Sequence, residues 1–73
     1  MKELVFHIDP HELVIRRWSE YPEEQQKDLA RFARKWELLD YNLDYDSHTF
    51  TGNTDMLYQF LHDLSFKYDI SLI

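Results

Sequence analysis

From Leu39 to Asp46 large apolar and polar side chains alternate without a break: Leu39, Tyr41, Leu43 and Tyr45 against Asp40, Asn42, Asp44 and Asp46. Successive side chains of a β-strand point to opposite faces, whereas a helix would scatter both sets around its axis. The pattern predicts a strand whose four apolar residues cover a core and whose polar residues face water or a partner. Such a strand belongs in a sheet with one covered and one open face.

Asp46-Ser47 then reads as a two-residue turn into a second strand that ends at Gly52. That register sets Tyr45 opposite His48 and Leu43 opposite Phe50, with Thr49 and Thr51 facing Asp44 and Asn42. A one-residue slip would turn every side chain over. Asn53 or Thr54 caps a following helix with the stripe Met56 or Leu57, Phe60, Leu61, Leu64 and Tyr68. Ile70-Ser71-Leu72-Ile73 reads as a last short strand.

Before the alternating segment, Pro22 opens a helix with Glu23 and Glu24 in its first turn and Arg34 and Lys35 in its last, as the helix dipole favours. Leu29, Phe32, Ala33 and Trp36 form its buried stripe, and Glu23 stands four before Lys27 as a supporting pair. Residues 3–8 read as a strand with Leu4, Phe6 and Ile8 on one face. Asp9-Pro10-His11-Glu12 carries the signature of a helix start, with Asp9 as cap and Glu12 reaching back. A helix over Leu13 to Tyr21, burying Leu13, Val14 and Trp18, is therefore expected. The competing reading turns the chain back at Asp9-Pro10 and makes Leu13 to Trp18 a strand, because Val14-Ile15 prefer strands.

The resulting order, β-α-β-β-α-β, predicts an α+β fold: a small ferredoxin-like (split β-α-β) sandwich over residues 1–73 as a single domain. Its antiparallel sheet would run in the spatial order 4-1-3-2 with both helices on one face, the first helical region broken near Pro22. The alternating strand then lies at an edge, where aspartates also discourage aggregation.

Seventy-three residues without cysteine exclude disulfides, thiolate metal sites and cysteine nucleophiles, so packing must hold the fold. Twelve aromatic residues exceed what so small a core needs and favour an exposed patch, hence a homodimer or a partner surface. The net charge is −6, and its excess lies in the second half: Glu37 to Ile73 holds seven acids and one base, Lys67. Such a half repels nucleic acid and attracts basic surfaces. No membrane-spanning run and no basic leader open the chain, which points to a cytoplasmic protein without membrane association.

Chemistry-bearing motifs are sparse. His7-x-Asp9-x-His11 is the one ligand-like spacing, and a metal-dependent enzyme using His7 and His11 is one alternative reading. Asp9 as a cap and solvated histidines account for the same residues, so no metal or cofactor is expected. No phosphate loop or nucleophile elbow is present. The bases Arg16, Arg17, Lys27, Arg31, Arg34 and Lys35 are interleaved with Glu20, Glu23, Glu24 and Asp28, which cancel their field.

The expectation is a non-catalytic, acidic protein-binding module, an inhibitor or modulator of another protein with a basic surface. In size and charge it resembles the short inhibitors of phages and mobile elements. The expected contact surface is Asp40, Asn42, Asp44 and Asp46, with Tyr41, Tyr45 and Trp18 as aromatic anchors. Asp40, Asp44, Asp46, Asp55, Asp63 and Asp69 also admit a second reading, a DNA mimic that occupies the groove of a nucleic-acid-binding protein.

Overall fold

The computed structural model describes residues 3–42 and 46–73. Five strands and two helices follow in the order β1 (Glu3–Asp9), β2 (Glu12–Arg16), α1 (Glu23–Lys35), β3 (Leu39–Tyr41), β4 (Ser47–Thr51), α2 (Thr54–Ser65) and β5 (Asp69–Leu72), with a 3-10 turn at Trp18–Glu20. They make an α+β fold with one mixed sheet in the order β3-β4-β2-β1-β5. All neighbouring strands are antiparallel except β1 and β5, which run parallel.

The helix expected at Leu13 to Tyr21 is replaced by β2. Asp9 pairs with Glu12, so Pro10-His11 forms a two-residue hairpin turn rather than the first turn of a helix. Proline's fixed φ serves either structure equally well. What decides between them is packing. Leu13 and Ile15 are buried, and Leu13 sits opposite Phe50 and beside Ile8 in the ladders. A helix there would leave the inner edges of β1 and β4, which β2 now bridges, without the backbone hydrogen bonds that its ladders supply.

The four strands anticipated from the sequence stand in the spatial order β5-β1-β4-β3, but β2 is inserted between β1 and β4. The added strand reverses the chain once more, which is why β5 comes to lie parallel to β1. The all-antiparallel, four-stranded sheet is thereby corrected to a mixed one of five strands.

α1 begins at Pro22 as its composition dictates, with the Glu23–Lys27 pair at 3.1 Å. It ends with Glu37 at φ 58°, where Leu38 N donates to Ala33 O at 2.8 Å and Glu37 N to Arg34 O at 3.1 Å, the Schellman pattern. α2 is capped by Asn53, whose side chain accepts from Asp55 N at 2.8 Å. Its residues Leu57, Phe60 and Leu64 are buried, followed by Tyr68.

The core joins Leu4, Phe6, Leu13, Ile15 and Phe50 of the sheet to Leu29, Ala33, Leu57, Phe60 and Leu64 of the helices. Phe6, Phe50 and Phe60 meet in a ring cluster with centroids 5.1–6.2 Å apart. Gly52 lets the chain pass close to Leu38, since a Cβ at this position would come within 2.7 Å of the leucine's Cδ2.

Polar groups tie the helices together as well. Asp28 of α1 is fully buried, and its Oδ2 accepts from the Tyr68 hydroxyl and lies 2.6 Å from Lys67 Nζ, while Oδ1 faces the Arg31 guanidinium. Asp63 of α2 accepts from Lys35 Nζ at 2.7 Å and from the Trp36 indole at 3.0 Å. Among the described residues no helix is long and apolar enough to cross a membrane.

Candidate functional site

The edge strand β3 carries the largest departure from the sequence pattern. Leu39, Asp40 and Tyr41 pair with Thr51, Phe50 and Thr49. Phe50 thus faces Asp40 instead of Leu43, a slip of three residues from the expected hairpin. An odd slip exchanges the two faces of a strand. Asp40 therefore lies on the helix side, and Leu39 and Tyr41 project from the open face, 70% and 38% exposed. The expected inward-facing row of Leu39 and Tyr41 is corrected accordingly, and Leu38, one residue earlier, enters the core in their place. Leu43, Asp44 and Tyr45 lie outside the described residues, so their expected roles are not located.

On the helix side of this corner a compact polar-aromatic cluster forms. His48, paired with Ile15 on β2, stacks on Trp18 at 4.2 Å and 18° and contacts the Phe50 ring at 5.0 Å. Its Nδ1 lies 2.6 Å from Asn42 Oδ1 and its Nε2 3.0 Å from Asp40 Oδ1. Two polar neighbours, one at each ring nitrogen, and an aromatic face hold the ring in one orientation. Trp18 is half-buried, so one side of the indole is occupied by protein.

Asp46 is engaged too. Its carboxylate accepts from Ser19 N at 2.8 Å and Ser19 Oγ at 2.5 Å, and its backbone carbonyl accepts from Trp18 N at 2.8 Å. Gln26 then fastens the 3-10 turn to α1 through the Trp18 and Tyr21 carbonyls, at 2.8 and 3.1 Å. The aspartate thus acts as an anchor for the turn that carries Trp18.

The structure therefore gathers Trp18, Asp40, Asn42 and Asp46 at one corner and leaves Tyr41 on the other face. Tyr41 donates its hydroxyl to Glu12 Oε2 at 2.7 Å, and that bond to a carboxylate holds the phenol above its ordinary ionisation range. His48 and Ser19 organise the corner, and the contacts that local pattern could not supply are the long-range ones, His48 on Trp18 and Ser19 on Asp46.

His7 sits within β1 opposite Val14, and His11 sits in the β1–β2 turn. Among the described residues no group of three or more His, Asp or Glu side chains is placed to hold a metal ion. No protein-family model matches the chain, and no curated protein or solved structure matches it.

Proposed function

We propose that the chain is a non-catalytic protein-binding module that engages a partner through β3 and the adjoining corner, and thereby modulates or blocks it. The observation that carries this reading is Leu39, a large aliphatic side chain 70% exposed on a three-residue strand at the sheet edge. An edge strand offers unpaired backbone donors and acceptors to an incoming segment, and an exposed apolar side chain beside them supplies affinity. Tyr41 adds an amphipathic contact on the same face. The partner is expected to be basic, because the half of the chain that contains β3 holds seven acids and one base. Long-range attraction of this kind acts mainly on the association rate.

Protein recognition is favoured over imitation of DNA. Three of the six aspartates that would form a phosphate-like array, Asp40, Asp46 and Asp63, are committed to His48, Ser19 and the Lys35–Trp36 pair. An engaged carboxylate keeps its charge but loses the freedom to meet a groove.

The test is capture from a source lysate with the wild-type chain and with Leu39→Lys, which keeps strand length and adds an opposing charge. A protein retained by the wild type and lost by the variant supports the reading, provided both give the same circular dichroism spectrum. Equal capture by both, or release of the partner by competing duplex DNA, overturns it.

A further inference from the structure

A cleft lies where β1 and β2 part. Their ladder runs through His7–Val14, Ile8–Leu13 and Asp9–Glu12 and stops there. Arg17 adopts φ 57°, ψ 44°, a left-handed conformation that a non-glycine residue rarely takes, and the chain swings toward β4, where Trp18 N finds Asp46 O. The Val5 N–H, left behind on β1, donates instead to the Tyr21 hydroxyl at 3.2 Å. The opening has a volume of about 720 Å³ and is floored by Val5, Tyr21 and Gln25. Pockets for small organic ligands fall in the range of roughly 300–1,000 Å³.

The hydrogen-bonding capacity left over here is dominated by donors. Arg16 and Arg17 line the cleft, and neither forms an ion pair among the described residues. The Tyr21 oxygen accepts from Val5, which leaves its own proton to give. Gln25 is only 5% exposed and lines the cleft, and its side-chain amide makes no hydrogen bond among the described residues. The N-terminus of α1 opens at the same place through Pro22 and Gln25, without any side-chain cap for its first-turn N–H groups. Helix N-termini favour negative charge, to which Glu23 and Glu24 of the first turn already contribute.

Acceptors are fewer. Two carboxylates share the lining with the two guanidinium groups: Glu3, whose Oε2 accepts from Ser71 Oγ at 3.0 Å, and Glu20; His7 lines the cleft as well. Strain at Arg17 fits a position shaped for a ligand, because left-handed non-glycine residues concentrate at such sites.

We propose that this cleft binds a small organic anion with a carboxylate or phosphate head. The guanidinium groups of Arg16 and Arg17 take the charged head, since their planar forks match paired oxygens. Tyr21 and Gln25 donate to the remaining oxygens from the floor. Glu20 accepts from a hydroxyl or amine on the body of the ligand, which makes a bare anion a weaker guest than one carrying such a group. The site is separate from β3, and its occupancy does not depend on protein binding.

Titrations of the full chain with sodium phosphate, with sodium acetate and with sodium chloride at matched ionic strength, followed by ¹H–¹⁵N spectra, test the assignment. Saturable shifts at the Gln25 side-chain amide and the Arg16 and Arg17 Nε–H groups, with phosphate or acetate but not chloride, are expected. The anion that saturates first identifies the head group. Arg16→Gln should weaken binding by about tenfold, the effect of losing one charge-assisted bond, and Arg17→Asn, which keeps the left-handed backbone accessible, should do the same. Absence of saturation with both oxyanions, an equal response to chloride, or unchanged affinity in both variants would overturn the proposal.

Discussion

Asp40 faces Phe50 across the β3–β4 ladder, and this one pairing decides which side of the sheet each residue of the edge strand occupies. An aspartate opposite a fully buried phenylalanine is tolerated because His48, two residues along β4 on the same face, holds its carboxylate at 3.0 Å. The aliphatic and phenolic neighbours Leu39 and Tyr41 are displaced to the open face as a result.

The register can be checked by a cross-link in a chain that contains no cysteine of its own. Leu39 and Thr51 are directly opposed, and opposed antiparallel residues have Cα atoms about 4.5–5.5 Å apart, within disulfide range. The double variant Leu39→Cys/Thr51→Cys should oxidise quantitatively in the folded state and gain thermal stability. Failure to oxidise, judged by thiol titration, would return β3 to another register.

Asp63 makes stability depend on acid. The hydrogen bonds from Lys35 and then Trp36 hold its carboxyl below the ordinary value of 3.8, against the opposing effect of desolvation. A depressed native value means that the contribution is present above the unfolded-state value and is lost as pH falls through the native one. Asp63→Asn should flatten the acid limb of a thermal-melting profile and leave the neutral-to-alkaline portion parallel to the wild type.

Tyr68 acts at the opposite end of the scale. Burial first, and then the negative charge of Glu24, push its phenol above 10.0, with Arg31 opposing. The stabilisation is complete below the unfolded value and is lost as pH rises through the native one. Tyr68→Phe removes the bond to buried Asp28 and should cost about 1–2 kcal/mol in urea unfolding at neutral pH. The variant should also lose the alkaline decline seen in the wild type.

Glu37 occupies the left-handed position that closes α1, a place where glycine carries no steric penalty. Its negative charge also meets the unfavourable end of the helix dipole. Glu37→Gly should raise stability by about 0.5–1 kcal/mol, offset in part by the greater freedom glycine gives the unfolded chain. Calorimetric melting would show the gain as a higher midpoint.

Thr49 is 1% exposed, and its hydroxyl has no partner among the described residues. A buried polar atom without a partner is costly, whereas an apolar group of the same shape is not. Thr49→Val should therefore stabilise by about 1 kcal/mol, measured by denaturant midpoint at constant slope.

Sequence alone determined α1, α2 and their apolar stripes, although not the burial of Gln25 and Asp28 on α1, where Phe32 and Trp36 are only partly buried. Pro22, the acidic first turn and the Leu29–Phe32–Ala33–Trp36 spacing define α1, while Asn53 and the Leu57–Phe60–Leu64 spacing define α2. These signals are local, because capping and the 3.6-residue period act within a few residues of the chain. The last strand, expected at Ile70–Ile73 from its short apolar run, is observed one residue earlier as Asp69–Leu72.

Tertiary structure decided the fate of residues 10–16 and 39–41. Asp9-Pro10 is compatible with a helix start and with a hairpin turn, and only the need to join β1 to β4 through Leu13 and Ile15 selects the hairpin. Alternation from Leu39 onward correctly indicates a strand over Leu39–Tyr41, which is shorter than the Leu39 to Asp46 segment expected: Asn42 already lies outside it. It cannot say which half of the pattern faces inward, because that depends on a register set by Leu38 packing against Gly52 and by His48 claiming Asp40. Period-two patterns are symmetric under exchange of faces, and the choice belongs to whatever lies on either side.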